Sequence, residues 1–175
     1  VTLEEKGYVV KNGTEYQIGL KFLDQGMFAR DQHPALPVAR DALRQLAAES
    51  DGLVWLTTEE RGQAIHIAKQ DGEYGVQAVA RVGSGLPMHA CSPGKVILAH
   101  LPTDQVHEIV DQHGLEAYTE NTITEIDDLM SSLEEIRQTG VALSDGELLS
   151  GSRSVASPIV IDDKILGAIS VVGPK

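Results

Sequence analysis

The stretch Gly85-Leu-Pro-Met-His-Ala-Cys-Ser-Pro-Gly-Lys-Val-Ile-Leu-Ala99 gathers side chains that can do chemistry: an imidazole at His89, a thiol at Cys91, a hydroxyl at Ser92 and an ammonium at Lys95. It reads as a loop that turns into a helix, with Ser92 as N-cap and Pro93 as the first helical residue, where the missing N–H and fixed φ do no harm. A helix entered this way offers free backbone N–H groups to an anion or a carbonyl oxygen. The stretch is therefore expected to bind something small. Cys91, close to a helix start and two residues from His89, has the setting of a nucleophile or redox sensor. The competing reading is a small thiol packed in the loop, which is the commoner fate of a free cysteine. His89 is expected to bond to backbone rather than act as an acid or base. Lys95 follows Gly94, but Gly83 and Gly85 do not give the spacing of a phosphate-binding loop, so it is expected to pair with a carboxylate.

Other candidates are weaker. His66, His100, His107 and His113 lack the i, i+4 repeat of a helical metal site, so no metal is expected. The pairs Glu59-Glu60, Asp127-Asp128, Glu134-Glu135 and Asp162-Asp163 read as solvated faces and turns, not as a catalytic dyad in an apolar pocket. Glu147 and Arg153 are expected to bond each other and brace a loop, or else to face a ligand. No catalytic residue and no cofactor is expected.

The chain has 175 residues, 42% of them hydrophobic, enough for one domain with a small attachment. Its single cysteine rules out an internal disulfide, which fits a cytoplasmic compartment. No apolar run approaches a membrane span, and no basic-then-apolar leader is seen. The net charge of −12 is uneven: residues 1–50 carry −1 and residues 51–175 carry −11. So negative a second part repels phosphate backbones and is not expected to touch nucleic acid. Such acidity is also what a salty cytoplasm selects.

The elements that must position the chemical residues follow from pattern. Val1–Lys6 reads as a helix tail, followed by a hairpin with strands at Gly7–Val10 and Thr14–Ile18 around Asn12-Gly13. A hairpin needs something to pack on, so the chain is expected to begin inside a domain whose front half is absent. Leu20, Phe22, Leu23, Met27 and Phe28 recur at helical spacing between Gly19 and Arg30. Ala39, Ala42, Leu43, Leu46 and Ala47 share one face of a helix over Leu36–Ser50. Strands are expected at Leu53–Thr58, Gln63–Ala68 and Val76–Val82, as a meander. Helices follow at Thr103–His113 and Thr124–Thr139, the second with a start signature in Thr124 and Asp127. Strands at Val141–Leu143, Ser154–Ile161 and Ile165–Val172 close the chain, with Pro158 best placed at an edge or bulge. The order predicts an α+β layering, with an antiparallel sheet of about six strands flanked by segregated helices.

Taken together, Gly85–Lys95 with Ile97-Leu-Ala99, Tyr16-Gln-Ile-Gly19, Tyr118-Thr…Thr122-Ile-Thr, Ile136-Arg…Gly140-Val, Glu147…Gly151-Ser-Arg153, Ala156-Ser-Pro158 and Ala168–Pro174 resemble the IclR family of bacterial and archaeal transcription regulators. The likeness covers nearly the whole chain. It implies a GAF-like fold for the sheet and helices, preceded by a linker helix and a wing β-hairpin remnant. Residues 1–18 would be the end of a winged helix-turn-helix DNA-binding domain, residues 19–32 the linker helix, and residues 33–175 an effector-binding domain. Partners would be a small-molecule effector and, through the N-terminal domain, operator DNA, with the protein a homodimer or homotetramer.

The same resemblance puts the effector site on the backbone of Ser92 and Pro93 and the side chains of Ser144, Ser154, Ser170 and Val172, beside Cys91. It implies a wall made of Gly75, Ala78, Leu86 and Ser152. In relatives that bind small oxo-acids, the positions of Ser144 and Val172 carry an acid and a hydroxyl, and that of Pro93 has an N–H. This chain departs at all three, and each lost polar contact shifts affinity by about 1 kcal/mol. A polyhydroxylated ligand or its acid, such as a sugar derivative, is therefore expected. The alternative is a GAF-like redox enzyme or sensor using Cys91; a disulfide-forming cycle needs further cysteines.

Overall fold

The computed structural model describes residues 2–50, 52–72 and 80–175 and divides into two compact units, Val1–Pro34 and Ala35–Lys175. In the first unit, strands β1 (Val9–Asn12) and β2 (Glu15–Ile18) pair antiparallel, Asn12 facing Glu15. The two-residue turn is therefore Gly13-Thr14, one position later than expected, with Gly13 supplying a φ of +66°. The expected helix tail before it is a single hydrogen-bonded turn. There the Thr2 hydroxyl accepts from the Glu5 N–H (3.2 Å) and Glu5 Oε2 accepts from the Thr2 N–H (2.8 Å), a capping box with no helix to follow. Helix α1 (Lys21–Asp31) packs Phe22 edge-on against Tyr8, with ring centroids 5.0 Å apart. The rest of its apolar set, Leu20, Leu23, Met27 and Phe28, is exposed on this unit.

The second unit is a six-stranded antiparallel sheet between helical layers, as expected. Helix α2 (Ala35–Ser50) buries Ala35, Ala39, Leu43 and Ala47 at the i, i+4 spacing that its sequence shows. The strands are β3 (Leu53–Glu60), β4 (Gln63–Asp71), β5 (Gly85–Pro87), β6 (Ala142–Asp145), β7 (Ser152–Ile161) and β8 (Lys164–Pro174), in the order β5-β4-β3-β8-β7-β6. Residues 73–79 of the expected strand Val76–Val82 lie outside the described residues, and residues 80–82 are coil and turn. The sheet's edge strand is instead β5, paired with Gln63–Ile65. Pro158 stands on β7 beyond the reach of β6, whose pairing ends at Ala156, so its missing N–H costs no ladder bond on that side.

Alternation along the strands splits the core in two. Val54, Leu56 and Ile67 turn to α2. Ala142, Ala156 and Ala168 turn to the other layer, helices α3 (Ser92–Ala99), α4 (Thr103–His113) and α5 (Ile126–Thr139). Small residues on the central strands let α3 lie close to the sheet. Helix α5 starts two residues after Thr124, with Glu125 as an N-cap that makes no side-chain cap bond. Asp127 and Asp128 in its first turn supply the charge that a helix N-terminus favours.

On the α3 side, Trp55 stacks on His66, with centroids 4.1 Å apart, and Thr57 Oγ1 meets His66 Nδ1 at 2.8 Å. Burial pushes the His66 imidazole down to about 4 from 6.5. Between those values the unfolded chain binds a proton that the native state refuses, so stability rises with pH in that window and is fully present above about 6.5. Acidification from pH 7 to 4 is expected to cost about 3 kcal/mol through this group. Urea unfolding followed across that range checks it, because His66→Gln should remove that part of the slope.

Candidate functional site

Helix α3 begins differently from its sequence reading, and the difference decides what it can hold. Cys91, extended at φ −134° and ψ 146°, is the N-cap; its carbonyl accepts from the Lys95 N–H at 3.0 Å, and its side chain makes no cap bond. Ser92 is therefore already helical, with Pro93 in the same turn. Its hydroxyl, freed from capping, meets Ser154 Oγ on β7 at 2.7 Å. Of the first-turn positions, Pro93 has no N–H, and the Gly94 N–H lies toward the Cys91 sulfur without making a cap bond. The helix start expected from sequence therefore keeps the N–H groups of Ser92 and Gly94 and lacks that of residue 93.

The sheet brings the other expected residues to the same place. Leu53, Val172, Ser154 and Ser144 are cross-strand neighbours in one row, and Trp55, Ser170, Ala156 and Ala142 form the next. Because side chains alternate, all eight face the α3 layer. Ser144 and Ser170 are buried polar residues. Ser170 Oγ, in a residue 1% exposed, has no hydrogen-bond partner. Such a group costs free energy until something pairs with it. Ser152 starts β7 on the same side, but its hydroxyl donates to the Leu149 carbonyl at 2.7 Å, so it braces the loop. Gly75 and Ala78 lie outside the described residues.

The loop between β6 and β7 is fixed by partners other than those expected. Arg153 pairs with Asp145 at 2.8 Å, not with Glu147. Glu147 reaches Lys95 on α3, with Nζ to Oε1 2.6 Å and the two side chains 4% and 12% exposed. Two threonines hold the loop backbone: Thr122 Oγ1 donates to the Glu147 carbonyl at 2.6 Å and Thr119 Oγ1 to that of Gly146 at 2.6 Å. Lys95 thus has the carboxylate partner expected of it. The two members of the pair are 52 residues apart, so only the folded chain could match them.

Leu86 is placed elsewhere. It lines a cavity of about 340 Å³ with His89, Met88, Ile109, His113 and Tyr118, which none of the site serines reach. His89 Nε2 there bonds the Glu116 carbonyl at 3.0 Å, the backbone role expected of it.

Cys91 is buried, donates to the Pro87 carbonyl at 3.2 Å, and its thiol is pushed up to about 12. Burial is the main cause; the Gly94 N–H and the Lys95 charge oppose it, and the Glu147 charge adds to it. At neutral pH the sulfur is a protonated thiol, without the nucleophilic form a redox centre needs. Iodoacetamide at pH 8 is expected to leave Cys91 unmodified in the folded protein and to alkylate it in urea, read by intact mass.

Residues 28–175 match the family described as the bacterial transcriptional regulator IclR C-terminal domain. The chain belongs to the IclR family. Among its relatives are the regulator KipR of Bacillus subtilis, 26% identical over 174 residues that span 98% of this chain and 70% of that protein. XynR of Escherichia coli is 27% identical over 173 residues, 97% of this chain and 69% of the relative. Both are named HTH-type transcriptional regulators. The crystal structure of Thermotoga maritima IclR matches with a TM-score of 0.85 at 29% identity, covering 98% of this chain and 70% of that one. The chain is accordingly that of a transcription regulator, with the α+β fold of the IclR C-terminal domain.

Sequence reasoning gave no role to three residues that the structure brings to this region. Trp55 is next to Ser170 across β3 and β8, while Thr119 and Thr122 hold the Glu147 loop. Trp55 is the only tryptophan in the sequence, and the two threonines lie in the motif Tyr118-Thr…Thr122.

Proposed function

We propose that residues 33–175 are the effector-binding domain of this IclR-family regulator, residues 19–32 its linker helix and residues 1–18 the end of its winged helix-turn-helix. The effector seats between the start of α3 and the face formed by Ser144, Ser154, Ser170 and Val172, with Cys91 and Pro93 packing behind it. It is a polar metabolite rich in hydroxyl groups, a sugar derivative or its acid. One observation carries this reading: Ser170 keeps a buried, unpaired hydroxyl among other serines. The site works by shape and hydroxyl contacts, because Pro93 offers no N–H and Val172 no hydroxyl.

A ligand that separates Ser92 from Ser154 changes the packing of α3 on the sheet. It then favours whichever arrangement of the paired linker helices that packing suits, and so one spacing of the two DNA readers across a homodimer or homotetramer. Effector affinity and operator affinity are thereby linked, each altering the other by the same factor. The protein acts in the cytoplasm, and not as an enzyme: the protonated Cys91 disfavours the redox alternative. The acidic surface of this domain, −11 over residues 51–175, leaves DNA contact to the N-terminal domain.

A thermal-shift screen of sugars, polyols, sugar acids and short oxo-acids tests this, followed by operator binding of the intact regulator with each hit. Hydroxyl-rich compounds should raise the Tm, and Ser170→Ala should lessen the rise. A screen in which only short oxo-acids do so would overturn the ligand class.

A further inference from the structure

Glu147, which the sequence left between bracing a loop and facing a ligand, carries a buried oxygen without a partner, as Ser170 does. Its Oε1 takes the Lys95 ammonium at 2.6 Å, while its Oε2 is buried with no hydrogen-bond partner. A carboxylate oxygen accepts hydrogen bonds and donates none, and leaving one bare out of water is costly. The side chain does not drift, because Thr119 and Thr122 pin its backbone carbonyl and Lys95 pins its other oxygen.

Chain connectivity ties it to the serine site through α3 and through the strands that flank its loop. Lys95 is three residues beyond Ser92, on the neighbouring turn of α3, and the β6–β7 loop that bears Glu147 joins the strand of Ser144 to the strand of Ser154. The Glu147 and Lys95 charges are both felt at Cys91, the N-cap of α3.

Charge then decides what the site accepts. The Lys95 ammonium is committed to Glu147, and Pro93 removes one N–H from the first turn of α3. An anionic ligand head would meet no free cation there, and a bare carboxylate oxygen. A hydroxyl or ammonium hydrogen would find an acceptor ready for it.

We infer that Glu147 is a direct recognition residue of the effector site, and that its free oxygen selects ligands presenting a hydrogen-bond donor at that end, a neutral polyol over the matching acid or an oxo-acid. This rests on the proposed effector site and narrows it to the uncharged, donor-bearing members of the hydroxyl-rich class.

Titration calorimetry with D-glucitol, D-gluconate and pyruvate, on the whole chain, tests it. The wild-type protein should bind D-glucitol about tenfold or more tightly than D-gluconate, the size expected of a hydrogen bond to a charged group. Glu147→Gln should shrink or invert that ratio. The double variant Lys95→Met/Glu147→Gln leaves no unpaired charge and should do the same if the single variant folds poorly. Ser170→Ala should weaken both sugar-derived probes alike and leave their ratio standing. A ratio unchanged in the folded Glu147 variants, or a wild-type preference for D-gluconate or pyruvate, overturns the inference while leaving the effector site in place. Binding indifferent to Ser170→Ala removes the site itself, and the inference with it.

Discussion

Lys95→Ala is expected to lower the free energy of unfolding by about 3–5 kcal/mol, the size seen when one member of a buried ion pair is removed. The pair has side chains 4% and 12% exposed, so water does little to shield the carboxylate that would be left. Two separate costs add. The Glu147 charge loses its counter-ion in a medium of low effective dielectric. The loop between β6 and β7 also loses its only ion pair to α3 among the described residues, which frees Ser144 and Ser154 to move relative to Ser92. Urea denaturation gives the magnitude. Lys95→Met/Glu147→Leu should recover most of the stability, because a well-packed apolar pair replaces a buried ionic one at little cost. If the double variant were as unstable as the single one, the penalty would lie in packing and not in charge.

Gly94→Ala is expected to cost about 3 kcal/mol, at the upper end for an overpacked site. A Cβ at Gly94 would come within 2.3 Å of the Met88 carbonyl oxygen and 2.6 Å of its Cα. Those are backbone atoms of the 3₁₀ turn Met88–Ala90, and no rotamer change can move them aside. Relief requires α3 to lift from that turn, which would carry Ser92 away from Ser154. The variant should therefore lose stability and effector response together. Thermal unfolding measures the first, and the hydroxyl-rich compounds of the screen measure the second. Gly26→Ala on α1 is the matched control: nothing lies within 4 Å of its would-be Cβ, and alanine suits a helix interior better than glycine.

The two variants act on the two faces by which α3 is held. Gly94 sets how closely the helix approaches the turn before it, and Lys95 sets how the loop from the far side of the sheet closes on it. Between them lies the Ser92–Ser154 hydrogen bond, the contact that a ligand in this site would have to accommodate.

Much of this was legible in the residues. The helices α1, α2 and α4 and the paired strands β3 with β4 and β7 with β8 follow from local periodicity, which reports burial on one face directly. The resemblance to the family added the serine set, and the sheet register puts Ser144, Ser154, Ser170 and Val172 on one face, where Ser92 meets Ser154. The misses are of two kinds. Boundaries shifted where one cap competes with another, as at Ser92 and Thr124, because a hydroxyl next to a helix start can serve the helix or a neighbour. Partnerships failed where charges were matched by proximity in sequence: Arg153 chose Asp145, and Glu147 chose Lys95.

What the sequence determined by itself is the α+β order of elements, the amphipathic faces and the family, since these depend on local pattern and on motifs read in line. Only the tertiary structure decided the state of the chemistry. It shows that Cys91 is a buried thiol and the N-cap of α3, that Leu86 belongs to a separate cavity, and that Glu147 and Ser170 retain unpaired oxygens. Each of these depends on which atoms from distant segments exclude water from one another. Burial and hydrogen-bond satisfaction are properties of the packed chain, and residue types in order do not specify them.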